Sequence, residues 1–375
     1  MRIGIDARFY GSIGKGLGRY VSELIAGLER IDSKDEYVIF LRKANFDEYV
    51  PANPRFTKAI AEFPWYGWKE QLLYPLWLRK FKLDLMHFPH FNVPFLYRRP
   101  FIVTIHDLIL LRFPTARATK LGPAMFQMKF AAYKRVIARA MRDARAVITV
   151  SQSVKKDIQE KFPFMKGREI AVTYEACTKA VRASDTEPTP RVEELRKPFI
   201  LYVGNAYPHK NLEMLLNAFH EFRKRGFTEH HLVLVGASDY FYDRLRTEAE
   251  STGLNDHVLF FGHASDEELG ALYRRAESYV FPSRCEGFGL PPLEAMMNGL
   301  PVASSNAASM PEILGQAALY FDPDSPSHMA TIMQDLATNH VLRERMIALG
   351  RAQAATYDWN DCARKTFDAY HRSHA

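Results

Sequence analysis

A short apolar run followed by a glycine-rich loop and a helix-forming segment constrains the fold of this sequence most. Residues Ser278–Pro282 read Ser-Tyr-Val-Phe-Pro, which predicts a short buried strand. The following loop contains Gly287 and Gly289, and glycine permits sharp turns and close approach of the backbone to a ligand. Two prolines suit the first turn of the next helix, and Gly299 is a natural helix end. A helix that begins behind such a loop directs N–H groups toward an anion.

Two carboxylates frame this loop. Glu286 precedes the glycines, and Glu294 is expected in the first helical turn. Because a carboxylate only accepts hydrogen bonds, Glu294 could hold a ribose diol while the loop amides hold a sugar or phosphate. Alternatively, Glu294 complements the helix dipole and Glu286 is a solvated loop residue.

The whole string from Ser283 to Met297 resembles the Glu-x7-Glu motif of the retaining glycosyltransferases of family 4, which have the GT-B fold. The resemblance continues through residues 299–315 and 317–323. It implies a donor site for a nucleoside-diphosphate sugar, held by Glu286, Glu294 and the loop between them.

A second strand–loop–helix pattern follows Phe199–Val203. Lys210 stands just before the next helix, where an ammonium group could neutralise a diphosphate leaving group. The alternative, a surface lysine, would place a cation at the unfavourable end of the helix dipole. Family 4 often has an arginine where this chain has Asn205, which donates a hydrogen bond but carries no charge. By the same resemblance, the nucleotide base would lie near His263.

The chain begins with a similar arrangement: the strand Arg2–Asp6, a glycine-rich stretch and a helix predicted from Arg19 to Leu28. The glycines alone would suggest a dinucleotide site, but the acidic ribose partner that such a site requires is not evident. Gly16 and Gly18 match the N-terminal loop of the glycosyltransferase family, which implies that this loop approaches donor phosphate or acceptor.

His106 and Asp107 follow a predicted buried strand, Phe101–Ile105. The carboxyl ends of parallel strands line the ligand crevice in open α/β sheets. His106 could therefore bind a sugar hydroxyl near the reacting centre, or it could be a structural residue; the family resemblance favours the first role. Asp107 is expected to orient the imidazole or to cap the next turn. The family's Asn-Gly pair is absent near Glu175, so contacts from that pair are not assumed.

The charge of the chain is uneven. Residues 1–190 hold 32 Lys and Arg against 19 Asp and Glu, whereas residues 191–375 hold 18 against 24. The basic half is expected to meet an anionic partner. Residues 65–82 mix aromatics, leucines and basic residues, which suits either an anionic membrane surface or a core helix with Leu72, Leu73, Leu76 and Trp77 inside. The basic helix predicted over 116–145 offers the same two alternatives.

Several classes are disfavoured by the rest of the sequence. No uninterrupted apolar run is long enough for a transmembrane helix, and the first residues resemble a strand rather than a signal peptide. Three scattered cysteines suggest reduced thiols, not a disulfide framework or a zinc site. We therefore expect a cytoplasmic protein, with possible peripheral contact to the inner face of the plasma membrane. No nucleic-acid-binding module is recognised, so no nucleic-acid partner is expected.

Strands that alternate with helices in both halves predict two doubly wound, Rossmann-like α/β domains, the GT-B arrangement. The expected N-terminal domain spans residues 1–185 and the nucleotide-sugar-binding domain spans 186–355. The polar, proline-bearing stretch 183–197 is the expected linker. By resemblance, a final helix in residues 356–375 crosses back to the first domain.

The implied function is transfer of a hexosyl unit from a nucleoside-diphosphate sugar to a hydroxyl of a glycan or lipid-linked acceptor. The opening Ile-Gly-Ile-Asp-Ala-Arg and the Pro-x-Lys-Asn-Leu stretch resemble bacterial mannosyltransferases, which suggests GDP-mannose. No Asp-x-Asp motif stands in the expected cleft, so neither a metal nor another cofactor is expected. Catalytic candidates are His106, Lys210 and Glu286. Donor-binding candidates are Gly16, Asn205, Lys210, His263, Glu286, Gly287, Phe288, Gly289, Leu290 and Glu294.

Four alternatives stay open at this point. A nucleotide-sugar epimerase and a sugar phosphorylase can use the same two-domain fold. A non-catalytic nucleotide-sugar sensor or a nucleic-acid binder would use the same residues or the basic half without transfer chemistry.

Overall fold

The structure is a computed structural model that describes residues 1–114, 123–177 and 189–374. The described chain divides into two units. The first contains residues 1–114, 123–175 and 358–374, and the second contains 176–177 and 189–357. The expected domain boundary at 185/186 and the first part of the expected linker lie outside the described residues.

The first unit is built on a seven-stranded, parallel sheet in the order β3-β2-β1-β4-β5-β6-β7. Its strands are β1 (Arg2–Asp6), β2 (Glu36–Leu41), β3 (Phe56–Ile60), β4 (Leu85–Phe88), β5 (Phe101–Ile105), β6 (Ala146–Thr149) and β7 (Ile170–Val172). Its first five helices are α1 (Lys15–Ile31), α2 (Trp68–Leu78), α3 (Ile109–Arg112), α4 (Pro123–Asp143) and α5 (Gln152–Lys161). The central strands β1, β4 and β5 are mostly apolar and buried because helices cover both faces of a parallel sheet.

The second unit has a six-stranded parallel sheet in the order β10-β9-β8-β11-β12-β13. Its strands are β8 (Phe199–Val203), β9 (His231–Val235), β10 (Val258–Gly262), β11 (Ser278–Phe281), β12 (Val302–Ser305) and β13 (Ala318–Phe321). Its helices are α6 (Pro190–Glu193), α7 (Leu212–Lys224), α8 (Tyr240–Ser251), α9 (Asp266–Arg275), α10 (Leu290–Met297), α11 (Met310–Leu314), α12 (Pro326–Thr338) and α13 (His340–Ala354).

The last helix, α14 (Trp359–His374), packs on the first unit. The guanidinium of Arg30 on α1 donates to the side-chain oxygen of Asn360 at 2.9 Å. Deeper in the unit, the hydroxyl of Tyr370 lies 2.7 Å from Nδ1 of His87 on β4. Burial lowers the pKa of His87 to about 3, so this histidine is a neutral structural residue.

Both sheets reverse their strand order next to the first strand of the unit, between β1 and β4 and between β8 and β11. Such a switch point leaves a crevice at the carboxyl ends of the two strands, where doubly wound folds bind ligands. The predicted α/β doubly wound architecture is confirmed, and in the second unit the loops that follow β8 and β11 frame the switch point.

One helix prediction needs correction, and part of another lies outside the described residues. Helix α1 begins at Lys15 and not at Arg19, so Gly16 and Gly18 lie inside the helix. A Cβ on Gly18 would come within 2.0 Å of the carbonyl oxygen of Gly11, whereas a Cβ on Gly16 would meet nothing within 4 Å. Close approach of the preceding turn to α1 therefore requires a glycine at position 18. The basic helix predicted over 116–145 is α4, and residues 115–122 lie outside the described part of the chain.

Candidate functional site

The loops after β8 and β11 are tied together in the second unit. Asn211 adopts a left-handed backbone conformation (φ 64°, ψ 34°), which asparagine tolerates better than most residues. Its side-chain amide donates to the carbonyl oxygen of Pro282 at 3.2 Å and to that of Pro323 at 2.7 Å. The backbone N–H of Arg284 donates to the carbonyl of His209 at 2.8 Å. These bonds hold the two loops at a fixed separation.

The result is an ion pair between the two loops. Nζ of Lys210 lies 2.6 Å from Oε1 of Glu286, and the two side chains are only 14% and 9% exposed. Lys210 is thus not a solvated surface lysine, and Glu286 is not a solvated loop residue. The anion that offsets the unfavourable position of Lys210 near the helix start is, in this structure, the Glu286 carboxylate. The structure therefore brings together two of the three residues that we predict to be catalytic.

A histidine beside this pair is neutral. Burial and then the charge of Lys210 lower the pKa of His209 to about 4, although Glu286 acts in the opposite direction. At neutral pH His209 adds no charge to the site. The positive charge at the end of this loop therefore comes from Lys210.

The glycine-rich loop has one required conformation. Gly289 has φ 101° and ψ 63°, which side-chain-bearing residues rarely adopt, and a Cβ there would lie 2.5 Å from Cε of Met310. The buried hydroxyl of Ser309 lies within donating distance of the carbonyls of Glu286 (3.1 Å) and Phe288 (3.2 Å). Ser309 was not predicted from the sequence; it fixes the loop from behind, with Gly287, Phe288 and Gly289 buried and Leu290 partly exposed.

The start of α10 offers fewer donors than a typical helix start. Helix α10 begins at Leu290, and the next two residues, Pro291 and Pro292, have no backbone N–H. The expectation that this helix presents several N–H groups to an anion is therefore wrong for its first turn. In the first turn the backbone donor is the N–H of Leu290. The other N–H groups that could face an anion belong to the loop before the helix.

Glu294 lies one turn deeper than predicted. It is the fifth residue of α10, so the first turn contains no acidic residue, and its side chain is buried. The hydroxyl of Tyr273 on α9 donates to Oε2 of Glu294 at 3.1 Å. Burial and then the charge of Glu294 raise the pKa of Tyr273 well above its ordinary value, so the phenol keeps its proton and acts as donor. Tyr273 is a partner of this candidate residue that sequence reasoning missed.

Asn205 and His263 follow β8 and β10, respectively, and both are exposed. The side-chain oxygen of Asn205 accepts from the backbone N–H of Tyr207 at 3.3 Å. The carbonyl of His263 accepts from Nη1 of Arg191 at 3.1 Å, and the Arg191 guanidinium stacks 3.9 Å from the ring centre of Phe261. Arg191, on the short helix α6, is therefore a further neighbour of the predicted base region. The sequence did not indicate this contact.

His106 lies in the first unit, where it makes two hydrogen bonds. Nδ1 lies 3.2 Å from Oε1 of Glu175, and Nε2 lies 2.9 Å from the carbonyl oxygen of Pro89. Because both partners are acceptors, the ring satisfies both only when both nitrogens carry protons. Burial lowers the pKa of His106, but the hydrogen bond and charge of Glu175 outweigh it, so the pKa is raised above 6.5.

Asp107 caps the turn that follows it, because its Oδ1 accepts from the backbone N–H of Ile109 at 2.9 Å. Glu175 orients the imidazole through its hydrogen bond to Nδ1, although it stands 69 residues away in sequence. Glu175 lies just beyond the end of β7, and its position after a strand is the sequence signal that could have indicated it.

Two features are absent from the described residues. Of the helices that they form, none is both long and apolar enough to cross a membrane. Within the same residues, no group of three or more His, Cys, Asp or Glu side chains is placed to hold a metal ion.

Gly16, which is a predicted donor-binding residue, is exposed near the start of α1 in the first unit.

Comparisons with known proteins agree with this architecture. Residues 14–176 match the family model described as Glycosyltransferase Family 4, and residues 183–353 match Glycosyl transferases group 1. The chain is 29% identical to O-antigen chain mannosyltransferase B of Escherichia coli over 95% of both chains. It is 25% identical to the O-antigen chain mannosyltransferase RfbU of Salmonella typhimurium over 87% of this chain and 88% of that protein.

A solved structure shows the same fold. Sucrose-phosphate synthase from Thermosynechococcus elongatus superposes with a TM-score of 0.75 and 18% identity, covering 99% of this chain and 98% of that one. Identity this low bears on the fold alone. Since the two matched family models together span most of the sequence, the chain combines a Glycosyltransferase Family 4 domain with a Glycosyl transferases group 1 domain and is a glycosyltransferase of the GT-B fold.

Proposed function

We propose that this glycosyltransferase moves a mannosyl unit from GDP-mannose to a hydroxyl of a glycan or lipid-linked acceptor, with retention at the anomeric carbon. The mannose assignment is supported by two relatives that are O-antigen chain mannosyltransferases and match this chain along most of its length. The acceptor in this proposal is a growing surface polysaccharide of the O-antigen type.

The observation that carries the proposal is the Lys210–Glu286 pair at the switch point of the second sheet. An ammonium group has three N–H donors, and Glu286 occupies one of them. Lys210 can therefore hold Glu286 and still donate to the oxygens of a diphosphate. A cation that is only 14% exposed acts in a less screened environment than one in water, so it stabilises the charge that develops on the leaving group.

Glu286 and the loop behind it bind the sugar in this proposal. A carboxylate accepts several hydrogen bonds, so Glu286 can take sugar hydroxyls in addition to the Lys210 ammonium. The backbone of Phe288, Gly289 and Leu290 lies next along the chain, in the conformation that Gly289 imposes. Glu294, held by Tyr273, accepts the ribose hydroxyls, while Asn205 and His263 contact the phosphate and base regions.

His106 contacts sugar hydroxyls near the bond that breaks. Both of its ring nitrogens are occupied in this structure, by Glu175 and by the Pro89 carbonyl. A sugar hydroxyl must therefore replace one of these acceptors or share its proton. The weaker acceptor is the neutral Pro89 carbonyl, and exchange there leaves the charge-assisted bond to Glu175 in place.

In the proposed chemistry the acceptor hydroxyl attacks the face from which the diphosphate leaves. The bond between the anomeric carbon and the phosphate oxygen breaks, the bond to the acceptor oxygen forms, and the departing phosphate takes the acceptor proton. Charge stabilisation in this scheme comes from Lys210 and the loop amides, so transfer should continue when divalent cations are chelated.

The experiment is donor binding followed by product analysis. Thermal stabilisation is measured with GDP, UDP, ADP and their sugar derivatives, because a ligand at about 100 times its Kd adds roughly 2.7 kcal/mol of stability. We expect a selective response to GDP and GDP-mannose and an α-linked mannoside by proton NMR. A response to UDP compounds alone would refute the mannose assignment, and an inverted product would refute retention.

Two variants test the residue roles in the same assays. Glu286→Ala should reduce turnover while nucleotide binding is kept, whereas Glu294→Ala should mainly weaken donor binding. Wild-type transfer rates in both variants would show that the site is assigned to the wrong residues.

A further inference from the structure

Helix α2 and the loop at residues 94–99 carry large apolar side chains that the fold leaves in solvent. Four residues of α2 are between 42% and 64% exposed, and two residues of the loop are each 46% exposed. The six residues, which we call the apolar face, are Trp68, Leu72, Leu73, Leu76, Phe95 and Leu96. Single exposed apolar residues are common on protein surfaces, but a cluster of this size marks an interaction site.

The exposure of these side chains does not result from incomplete packing of α2. The opposite side of α2 is buried: Tyr74 and Leu78 pack inside, and Trp77 packs against Phe40 and Phe81 with ring centres 5.6 and 4.7 Å apart. If α2 were an ordinary core helix, Leu72, Leu73, Leu76 and Trp77 would all face the core. Of these four residues, only Trp77 packs against it. The helix thus has two apolar sides, one of which the first unit covers.

The two segments of the apolar face are neighbours. The backbone N–H of Phe95 donates to the side-chain oxygen of Gln71 on α2 at 2.7 Å. On its other side, the loop is held by Arg139 of α4, which donates to the carbonyls of Pro94 and Tyr97 at 3.1 and 3.0 Å. The two segments of the apolar face therefore lie side by side on a hydrogen-bonded frame.

Within the two segments that carry the apolar face the exposed charges are basic, whereas Glu62 and Asp84, which flank the first segment, are exposed acids. Residues 64–83 and 91–100 contain one acidic residue, Glu70, whose side chain is fully buried. Glu70 accepts from Arg8 at 2.7 Å and from the amide of Asn92, so its charge is compensated inside the unit. The exposed cations of these two segments are Lys69, Arg79, Lys80, Lys82, Arg98 and Arg99.

Helix α4 extends the same composition beyond the loop. From Pro123 to Arg142 it has five basic residues and no acidic residue. Its exposed side chains include Met128, Lys129 and Arg135. Asp143, the first acid of the helix, lies within 3.1 Å of Arg139 and 3.7 Å of Arg98.

We propose that the apolar face docks on an anionic lipid bilayer, with Trp68, the leucines and Phe95 in the interface and the surrounding Lys and Arg side chains on the lipid phosphates. Tryptophan and leucine beside exposed basic residues are the composition that binds the surface of such a bilayer. The absence of exposed acids in residues 64–83 and 91–100 gives the charge complementarity that an anionic surface needs. This docking would present the first unit to an acceptor carried by a lipid.

The test is flotation of the full chain with vesicles. Phosphatidylcholine vesicles are compared with vesicles that also contain phosphatidylglycerol, at low and high salt and without donor or acceptor. We expect binding to the anionic vesicles and loss of binding at high salt, because salt screens exposed charges. Equal binding to neutral vesicles would overturn the electrostatic part, and no binding to either would overturn the proposal.

Two double variants separate the contributions. Arg98→Gln with Arg99→Gln should weaken binding roughly fivefold per removed charge. Leu72→Glu with Leu76→Glu should weaken it by more than about tenfold, because two apolar side chains no longer enter the interface. The matched control is Leu259→Glu with Val341→Glu, two exposed apolar residues of the second unit. If the control loses binding equally, the effect is one of net charge and not of this face.

Folding, activity and self-association are measured on the same variants. GDP-induced thermal stabilisation and transfer to a water-soluble acceptor should be unchanged by the leucine substitutions, so failure of docking and failure of the proposed function are distinguishable. Sedimentation of the parent and of the Leu72→Glu, Leu76→Glu variant tests another occupant. A parent dimer that these substitutions dissociate, with vesicle binding unchanged, would assign the face to a second copy and overturn the proposal.

Discussion

The charge of Glu175 should set the protonation of His106, and Glu175→Gln isolates that charge. The amide oxygen of glutamine can still accept from Nδ1 of His106, so the hydrogen bond is kept while the charge is lost. Hydrogen bonds to charged groups contribute about 1.5–3 kcal/mol and neutral ones about 0.5–1.5 kcal/mol. Because His106 and Glu175 are 18% and 9% exposed, little of this difference is screened. We expect the variant to lose about 1–1.5 kcal/mol of folding free energy under conditions where His106 is charged.

The sign of the pH dependence follows from the raised pKa of His106. A group whose pKa is higher in the folded state contributes stability that is fully present below its unfolded value, here 6.5, and is lost as pH rises through the folded value. The difference between the parent and Glu175→Gln should therefore be largest at about pH 5.5 and become small at about pH 8.5. The pKa of His106 itself should fall in the variant.

The assay combines NMR titration of the His106 ring protons with urea unfolding at both pH values. Glu169→Gln is the matched control, since Glu169 forms an exposed pair with Arg372, and exposed pairs contribute little. An unchanged His106 pKa in Glu175→Gln would refute the reasoning, as would a stability loss that is equal at both pH values.

Two further substitutions test the proposed donor site. Lys210→Met should lower kcat by about 10²–10³-fold, as loss of a charge-stabilising donor does elsewhere, whereas the exposed control Lys224→Met should leave it unchanged; equal rates in both variants would contradict the leaving-group role. Gly289→Ala should destabilise the chain by about 1–3 kcal/mol and weaken donor binding, because it combines positive φ with a clash against Met310. Gly226 has φ 106°, and a Cβ there would meet nothing within 4 Å, so Gly226→Ala measures the backbone strain alone. An equal effect of Gly289→Ala and Gly226→Ala on donor binding would exclude a specific role of the loop.

The order of strands and helices follows from the sequence because it depends on local patterns. Apolar runs of four to six residues, each ended by glycine or a polar residue, are buried parallel strands such as β5, β8 and β9. The strand–loop–helix unit around Gly289 is recognisable because a positive φ and the start of a helix both restrict which residues are allowed. Family resemblance along the chain then indicates the GT-B fold.

Candidate side chains were identifiable by type, but their partners were not. Lys210 and Glu286 are 76 residues apart, and the adjacency of β8 and β11 in the sheet brings them within 2.6 Å. The partner of Glu294 lies 21 residues earlier, on another helix. A hydrogen bond between distant residues leaves no periodic signal in a sequence, so these contacts depend on the packing of whole elements.

The apolar side of α2 shows the same division. Helical spacing identifies Leu72 and Leu76 as members of one apolar stripe, but spacing does not say what covers that stripe. In the structure the first unit buries Tyr74 and Leu78 instead and leaves the leucines exposed.

Local sequence patterns thus specify the element order, the fold class and the residue types of the proposed donor site, because each depends on neighbours within one strand, loop or helix. The packing of those elements sets which charges are paired, which nitrogen of His106 faces a carboxylate, and which apolar stripe meets solvent. Those properties depend on burial and on distances between elements far apart in the chain, and folding alone sets both.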